Sequence, residues 1–268
     1  MTARTVWVFF GLAFAIGWGL GILMVVFADQ IESVFGEIGY TNPVFILVVY
    51  SPAMAGLGLV WRHYGTPGVK LMLRRVTLWR LPSAWWVFLI LGIPAVKLVG
   101  AGLNGSLTDT EFSSWAGLAG LLVAGALIGP MEEFGWRGVA LPLLQRRLTP
   151  LTASLVLGAF WGLWHLPAFL MSGTPQSGRS FGPFIIGVLA LSVLVTPLFN
   201  ASRGSILIPA LFHFQMNNPL WPDAQPWENY LFALVAVVVV VICRRDMLSR
   251  HGAVTTLLGE TEPQIHHR

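Results

Sequence analysis

The stretch Leu118–Leu141, LAGLLVAGALIGPMEEFGWRGVAL, makes two demands that conflict. It is apolar and long enough to cross the bilayer hydrocarbon, which takes about 20 residues as a helix. Yet it carries Glu132, Glu133 and Arg137 in its second half. A charge at the bilayer centre costs roughly 2.5–3.5 kcal/mol on insertion scales, so three in one helix cost on the order of 8–10 kcal/mol unless they pair or reach a water-filled cavity. Glu133 and Arg137 are four residues apart and share a helix face, so they are expected to pair. Glu132 lies about 100° round the helix from Glu133, free to face a cavity. The plainer alternative is that both carboxylates only neutralise Arg137 and bind a neighbouring helix. Gly129-Pro130 predicts a kink just before them.

The rest of the chain sets this helix in a membrane. Of 268 residues, 55% are hydrophobic and only 10% charged, against roughly 25% charged in an ordinary soluble domain. That balance excludes a soluble globule, a disordered chain, a collagen and a nucleic-acid binder. One cysteine, Cys243, excludes an intramolecular disulfide framework. The composition predicts an all-α polytopic membrane protein, a single membrane domain over 1–268.

Apolar runs at 5–27, 43–61, 84–102, 118–141, 151–171, 182–199, 205–221 and 229–243 predict about eight transmembrane helices. The first ends in Val26-Phe27-Ala28, like a signal-peptide cleavage site, but its apolar part is longer than the roughly 7–15 residues of a signal-peptide core. It is therefore read as a retained span. With the N-terminus inside, Arg4, Arg62, Lys70, Arg74, Arg75, Arg80, Arg146, Arg147, Arg203, Arg244, Arg245, Arg250 and Arg268 fall on the cytoplasmic side. Asp29, Glu32, Glu37, Asp109, Glu111, Asp223 and Glu228 fall outside, with Arg179 as the one outer base. The positive-inside rule then places both termini in the cytoplasm of a cell membrane. The tail 244–268 is expected to be disordered, and Lys97 to snorkel or bond a carbonyl, with a substrate-facing role as the alternative.

Two further polar groups are stranded in spans: His165, within Phe160–Pro167, and His213, followed four residues later by Asn217 on the same face. Asn218 is turned away, and Pro219 ends the helix. Taken one at a time, each His reads best as an interhelical hydrogen-bonding group. Depth joins them: the fourth, fifth and seventh spans centre near residues 131, 161 and 213, and at 1.5 Å per residue His165 lies roughly 6 Å from its centre. Glu132, His165, His213 and Asn217 can thus meet at one level. Such a set suits hydrolysis. A desolvated carboxylate can take a proton from water. Two imidazoles and a carboxylate also suit a divalent metal, Zn²⁺ by choice, with an open water position. The amide of Asn217 suits a tetrahedral oxyanion.

These residues resemble a known family. Glu132-Glu133-Phe134-Gly135-Trp136-Arg137 matches the Glu-Glu-x-x-x-Arg motif of the CPBP family, the CAAX protease and bacteriocin-processing (Abi) intramembrane metalloproteases. Trp161–His165 resembles its Phe-x-x-x-His motif with Trp in the aromatic place, and His213–Asn217 matches His-x-x-x-Asn. The resemblance covers about 115–220 and implies a catalytic core there, within an all-helical fold around an intramembrane cavity. It implies that Glu132 is the catalytic carboxylate, with His165 and His213 essential. Asn217 would position water or oxyanion, Glu133 would belong to the catalytic set, and Arg137 would be its structural ion-pair partner. It also implies a peptide or membrane-protein substrate, of prenylated type by the family's name, with signal or bacteriocin processing suggested by bacterial relatives. Members are described both with a bound metal and with a glutamate-activated water. Two other classes stay open: a non-catalytic scaffold or bacteriocin self-immunity protein, and a proton-coupled transporter using Glu132, His165 and His213 as a relay. Oligomeric state is not legible.

Overall fold

The computed structural model describes residues 1–109, 112 and 114–258. Every regular element among them is helical. The principal helices are α1 (Thr5–Val26), the short α2 (Ala28–Phe35), α3 (Pro43–Arg74), α4 (Ser83–Asn104), α5 (Trp115–Gln145), α6 (Pro150–Trp164), α7 (Phe181–Ala201), α8 (Leu207–Met216) and α9 (Trp227–Ile242). Local chemistry sets their ends. Asn42 Oδ1 accepts from the N–H groups of Val44 at 3.0 Å and Phe45 at 3.3 Å, closing the start of α3. Pro43 takes the first helical position, where a missing N–H costs nothing. Thr149 and Pro150 repeat the device at α6, Thr152 N–H donating to Thr149 Oγ1 at 3.3 Å. α4 stops at Gly105, whose φ of 76° is left-handed and open to glycine without strain.

Among the described residues six helices are long and apolar enough to span a bilayer: α1, α3, α4, α5, α7, and α6 with the turn that extends it to Leu170. The two expected spans at 205–221 and 229–243 are the shorter apolar helices α8 and α9. A turn with Arg203 at φ 56° and Gly204 at φ 81° delays the start of α8, and Asn217 already lies past its end. α3 differs in the other direction. It continues past Gly65, itself non-helical at φ 62°, so Arg62, Lys70 and Arg74 ride on a helix rather than in a loop.

α1 packs on α3, α3 on the charged half of α5, α6 on α7, α7 on α9 and α9 on α4. α8 sits against α7 and the 129–132 turn of α5. Large apolar side chains such as Ile22, Val26, Leu234 and Ile242 face outward, which suits lipid and would be a liability in water. The molecule is an integral membrane protein.

Four expectations give way to tertiary contacts. Residues of the tail expected to be disordered are seated: Arg244–Met247 forms a helical turn, and Leu257 and Leu258 are buried. Arg75, read as a surface topology charge, is buried. Its Nε donates to the Gly204 carbonyl at 2.6 Å, and its Nη1 to those of Gly138 at 3.1 Å and Leu257 at 2.7 Å. A guanidinium taken out of water must find acceptors, and these three join the tail to α5. Lys97 neither snorkels nor bonds a carbonyl: its Nζ lies 2.6 Å from Glu228 Oε2. Glu228 is not in an outer loop but buried in the first turn of α9. Glu111, Arg268 and the tail residues 259–268 lie outside the described residues.

Candidate active site

α5 is broken where the sequence predicts. Pro130 offers no N–H, and the chain tightens over Gly129–Glu132, Met131 N–H reaching the Ile128 carbonyl at 3.3 Å. It then widens over Trp136–Ala140. A tight turn followed by a wide one re-aims the side chains between them, and wide turns concentrate at functional sites. The broken helix also lies very close to its neighbour: a Cβ on Gly135 would overlap the Pro52 carbonyl of α3.

The two adjacent glutamates have separate partners. Glu133 Oε1 accepts from Arg137 Nη1 at 3.0 Å, the i, i+4 pair that the spacing predicts, and from His213 Nδ1 at 2.8 Å. Both side chains of the Glu133–Arg137 pair are 1% exposed. Glu132 points elsewhere. Its Oε2 accepts two indole N–H groups, Trp136 Nε1 at 3.0 Å and Trp161 Nε1 at 2.8 Å. Of the two carboxylates only Glu133 bonds Arg137, while Glu132 reaches the neighbouring helix α6 through Trp161.

The histidines are held by their Nδ1 atoms. His165 Nδ1 lies 2.7 Å from the Trp161 carbonyl, which can only accept, so the proton is on Nδ1 and Nε2 is bare. His213 Nδ1 bonds Glu133, which turns its Nε2 toward Gly129. A Cβ on Gly129 would fall 2.9 Å from that Nε2 and closer still to Asn217 Nδ2. The Asn217 amide and the His213 ring therefore converge on one point, and glycine is what leaves room for them.

Glu132, His165, His213, Asn217 and Gly129 line one cavity of about 100 Å³. A second, of about 200 Å³, shares His165, His213 and Asn217. It extends past Glu133, Arg137 and Trp161 to Lys97, Glu228, Arg179 and Asp223. The four side chains that depth arithmetic placed at one level do surround one space. Asn218 lines the larger cavity but not the smaller one; its Nδ2 donates to Gln215 Oε1 at 3.1 Å and its Oδ1 accepts from Leu220 N–H at 3.1 Å.

The metal expectation fares differently. Among the described residues no three His, Cys, Asp or Glu side chains group to hold a metal ion. Glu132, His165 and His213 do not form such a set. One oxygen of Glu132 and one nitrogen of each histidine are already engaged by protein groups. Nδ1 engagement of this kind leaves Nε2 as the remaining donor of each ring, and the reaction is derived from these side chains alone.

Sequence reading missed Trp136 and Gly129 at this site. Trp136 carried a signal, since it stands four residues after Glu132 on the same helix face. Gly129 carried none beyond its place before Pro130.

Two comparisons bear on this geometry. The family description "Type II CAAX prenyl endopeptidase Rce1-like" matches residues 113–218, the segment that holds Glu132, His165, His213 and Asn217. A protein of Methanococcus maripaludis described as "CAAX prenyl protease 2" is 28% identical over 185 residues, covering 62% of this chain and 68% of the relative. Over the segment 113–218 the chain is similar to the CPBP family. The matched segment takes in the broken α5, α6, α7 and α8, and with them Glu132, His165, His213 and Asn217.

Proposed function

We propose that this chain is a CPBP-type intramembrane protease that cleaves a peptide bond near the C-terminus of a prenylated-type or other membrane-associated substrate, with Glu132 as the general base. The substrate class follows the description of the archaeal relative. The observation that carries the mechanism is the division of the Glu132 carboxylate. Oε2 is bonded by two indoles, and Glu132 lines the small cavity, to which Oε1 is offered.

Water held between Glu132 Oε1 and the bare Nε2 of His165 gives a proton to Glu132 as its oxygen attacks the scissile carbonyl carbon. The carbonyl π pair moves to oxygen, and the resulting oxyanion accepts from the Asn217 amide. The His213 ring, oriented by Glu133, offers Nε2–H to the same oxyanion in its protonated form. Glu132 then returns the proton to the departing amine as the C–N bond breaks. Arg137 holds Glu133, so it acts on the site through His213. Glu132 and His213 are buried, and donors held out of bulk water are worth most.

We further place both termini on the cytoplasmic side of the plasma membrane. The distribution of basic residues supports this, as does Arg146. Its Nη1 donates to the Met1 carbonyl at 2.6 Å and its Nε to the Thr255 carbonyl at 2.9 Å, bringing the two ends to one face.

The test is cleavage of a quenched fluorescent peptide with a prenylated cysteine by detergent-purified protein. Glu132→Gln and His165→Ala are expected to abolish cleavage while keeping the wild-type melting midpoint. Wild type is expected to hold substoichiometric zinc and to keep its activity after chelation. Cleavage by both variants at wild-type rates would refute the assignment, and it would favour a scaffold or a proton relay instead.

A further inference from the structure

The one motif position where this chain departs from the family pattern is Trp161, and the departure adds an atom that phenylalanine lacks. Trp161 Nε1 donates to Glu132 Oε2 at 2.8 Å, the shorter of the two indole contacts on that oxygen. The same residue touches the rest of the site. Arg137 lies over its ring at 4.6 Å from the centroid, the His213 ring is 5.6 Å away, and its carbonyl fixes His165 Nδ1. Trp161 is buried, as is Glu132.

A carboxylate with two equivalent oxygens can rotate and offer either one. Two N–H donors converging on Oε2 from different helices remove that freedom, because rotation by half a turn would break both bonds. One donor comes from α5 itself, four residues on, and so moves with Glu132. The other comes from α6 and ties the carboxylate to the helix that carries His165. Only the second can fix the distance between Glu132 Oε1 and His165 Nε2, the two atoms between which water must sit.

From this geometry we infer that Trp161 is a positioning residue: its indole N–H pins Oε2 of Glu132 so that Oε1 alone serves as the base, held in register with His165. The inference rests on Glu132 being the base. It also yields an outcome opposite to that expected of a plain aromatic wall, because restoring the family's phenylalanine should damage this enzyme.

The decisive variant is Trp161→Phe, which keeps an aromatic ring and the backbone carbonyl and removes the N–H together with part of the indole, as Trp136→Phe does at its own position. With the prenylated quenched peptide, kcat is expected to fall roughly ten- to a hundredfold, the factor one charge-assisted hydrogen bond is worth, with KM within twofold of wild type. A residue that only shapes the cavity would move KM and leave kcat in place. Trp136→Phe, which removes the donor that moves with Glu132, is expected to lower kcat less. It also serves as the reference if Trp161→Phe melts early, since activity per folded molecule is then compared between the two. A kcat for Trp161→Phe within twofold of wild type, or a fall no larger than that of Trp136→Phe, overturns the inference. Glu132→Gln separates it from the base assignment. An active Glu132→Gln defeats the assignment itself, whereas an inactive one beside a fully active Trp161→Phe defeats only the positioning role.

Discussion

Replacing Glu133 by Leu strands a buried guanidinium. Arg137 Nη1 bonds Glu133 Oε1 at 3.0 Å, while its Nε and Nη2 are buried without a hydrogen-bond partner. With both side chains 1% exposed, water cannot take over. Removing one partner of such a pair costs about 3–5 kcal/mol, most of it the desolvation of the survivor. At about 2 °C per kcal/mol for a chain of this size, the melting midpoint should fall by about 6–10 °C. The double variant Glu133→Leu/Arg137→Leu removes both charges and should recover most of that loss, since two apolar side chains can replace a buried pair at little net cost. Cleavage should not recover, because His213 Nδ1 has lost the Oε1 that held it at 2.8 Å. The assays are thermal unfolding in detergent and peptide cleavage on the same preparations. A single variant that melts with wild type would refute the buried-charge reasoning, and a double variant that regains activity would refute the role of Glu133 in orienting His213.

Two other predictions follow from the packing. Gly129→Ala drives a methyl against Asn217 Nδ2 and to 2.9 Å from His213 Nε2; cleavage should fall by at least an order of magnitude with the fold intact, and wild-type kinetics would show that the two groups need not converge there. Lys97→Met leaves Glu228 without the cation at 2.6 Å and should lower the melting midpoint, with Lys97→Met/Glu228→Leu restoring it, as read by thermal unfolding.

Much of the site was legible because helices convert spacing into direction. Four residues separate Glu133 from Arg137 and His213 from Asn217, and in each case the periodicity of 3.6 puts the two on one face. Adjacent Glu132 and Glu133 had to diverge for the same reason, and they do. Distances across helices carry no such signal. That Glu228 would neutralise Lys97, that Arg75 would hold Leu257, and that Trp161 would reach Glu132 are facts about how α4 meets α9, how the tail folds back and how α6 meets α5. The tail was misread because a polar, charged terminal segment looks solvated until carbonyl acceptors and apolar seats are found for it.

By itself the sequence determined that this chain lives in a membrane, which way its charges bias it, and which few ionisable groups cannot be there without a purpose. Those conclusions need only a solvent and a helix, because transfer costs and helical periodicity act residue by residue. The tertiary structure decided what the stranded groups do. It bonds one glutamate to an arginine and a histidine and the other to two indoles, and it leaves no three ligands together for a metal among the described residues. Hydrogen bonds are made over about 3 Å, and only the packing of separate helices brings donors and acceptors within that range.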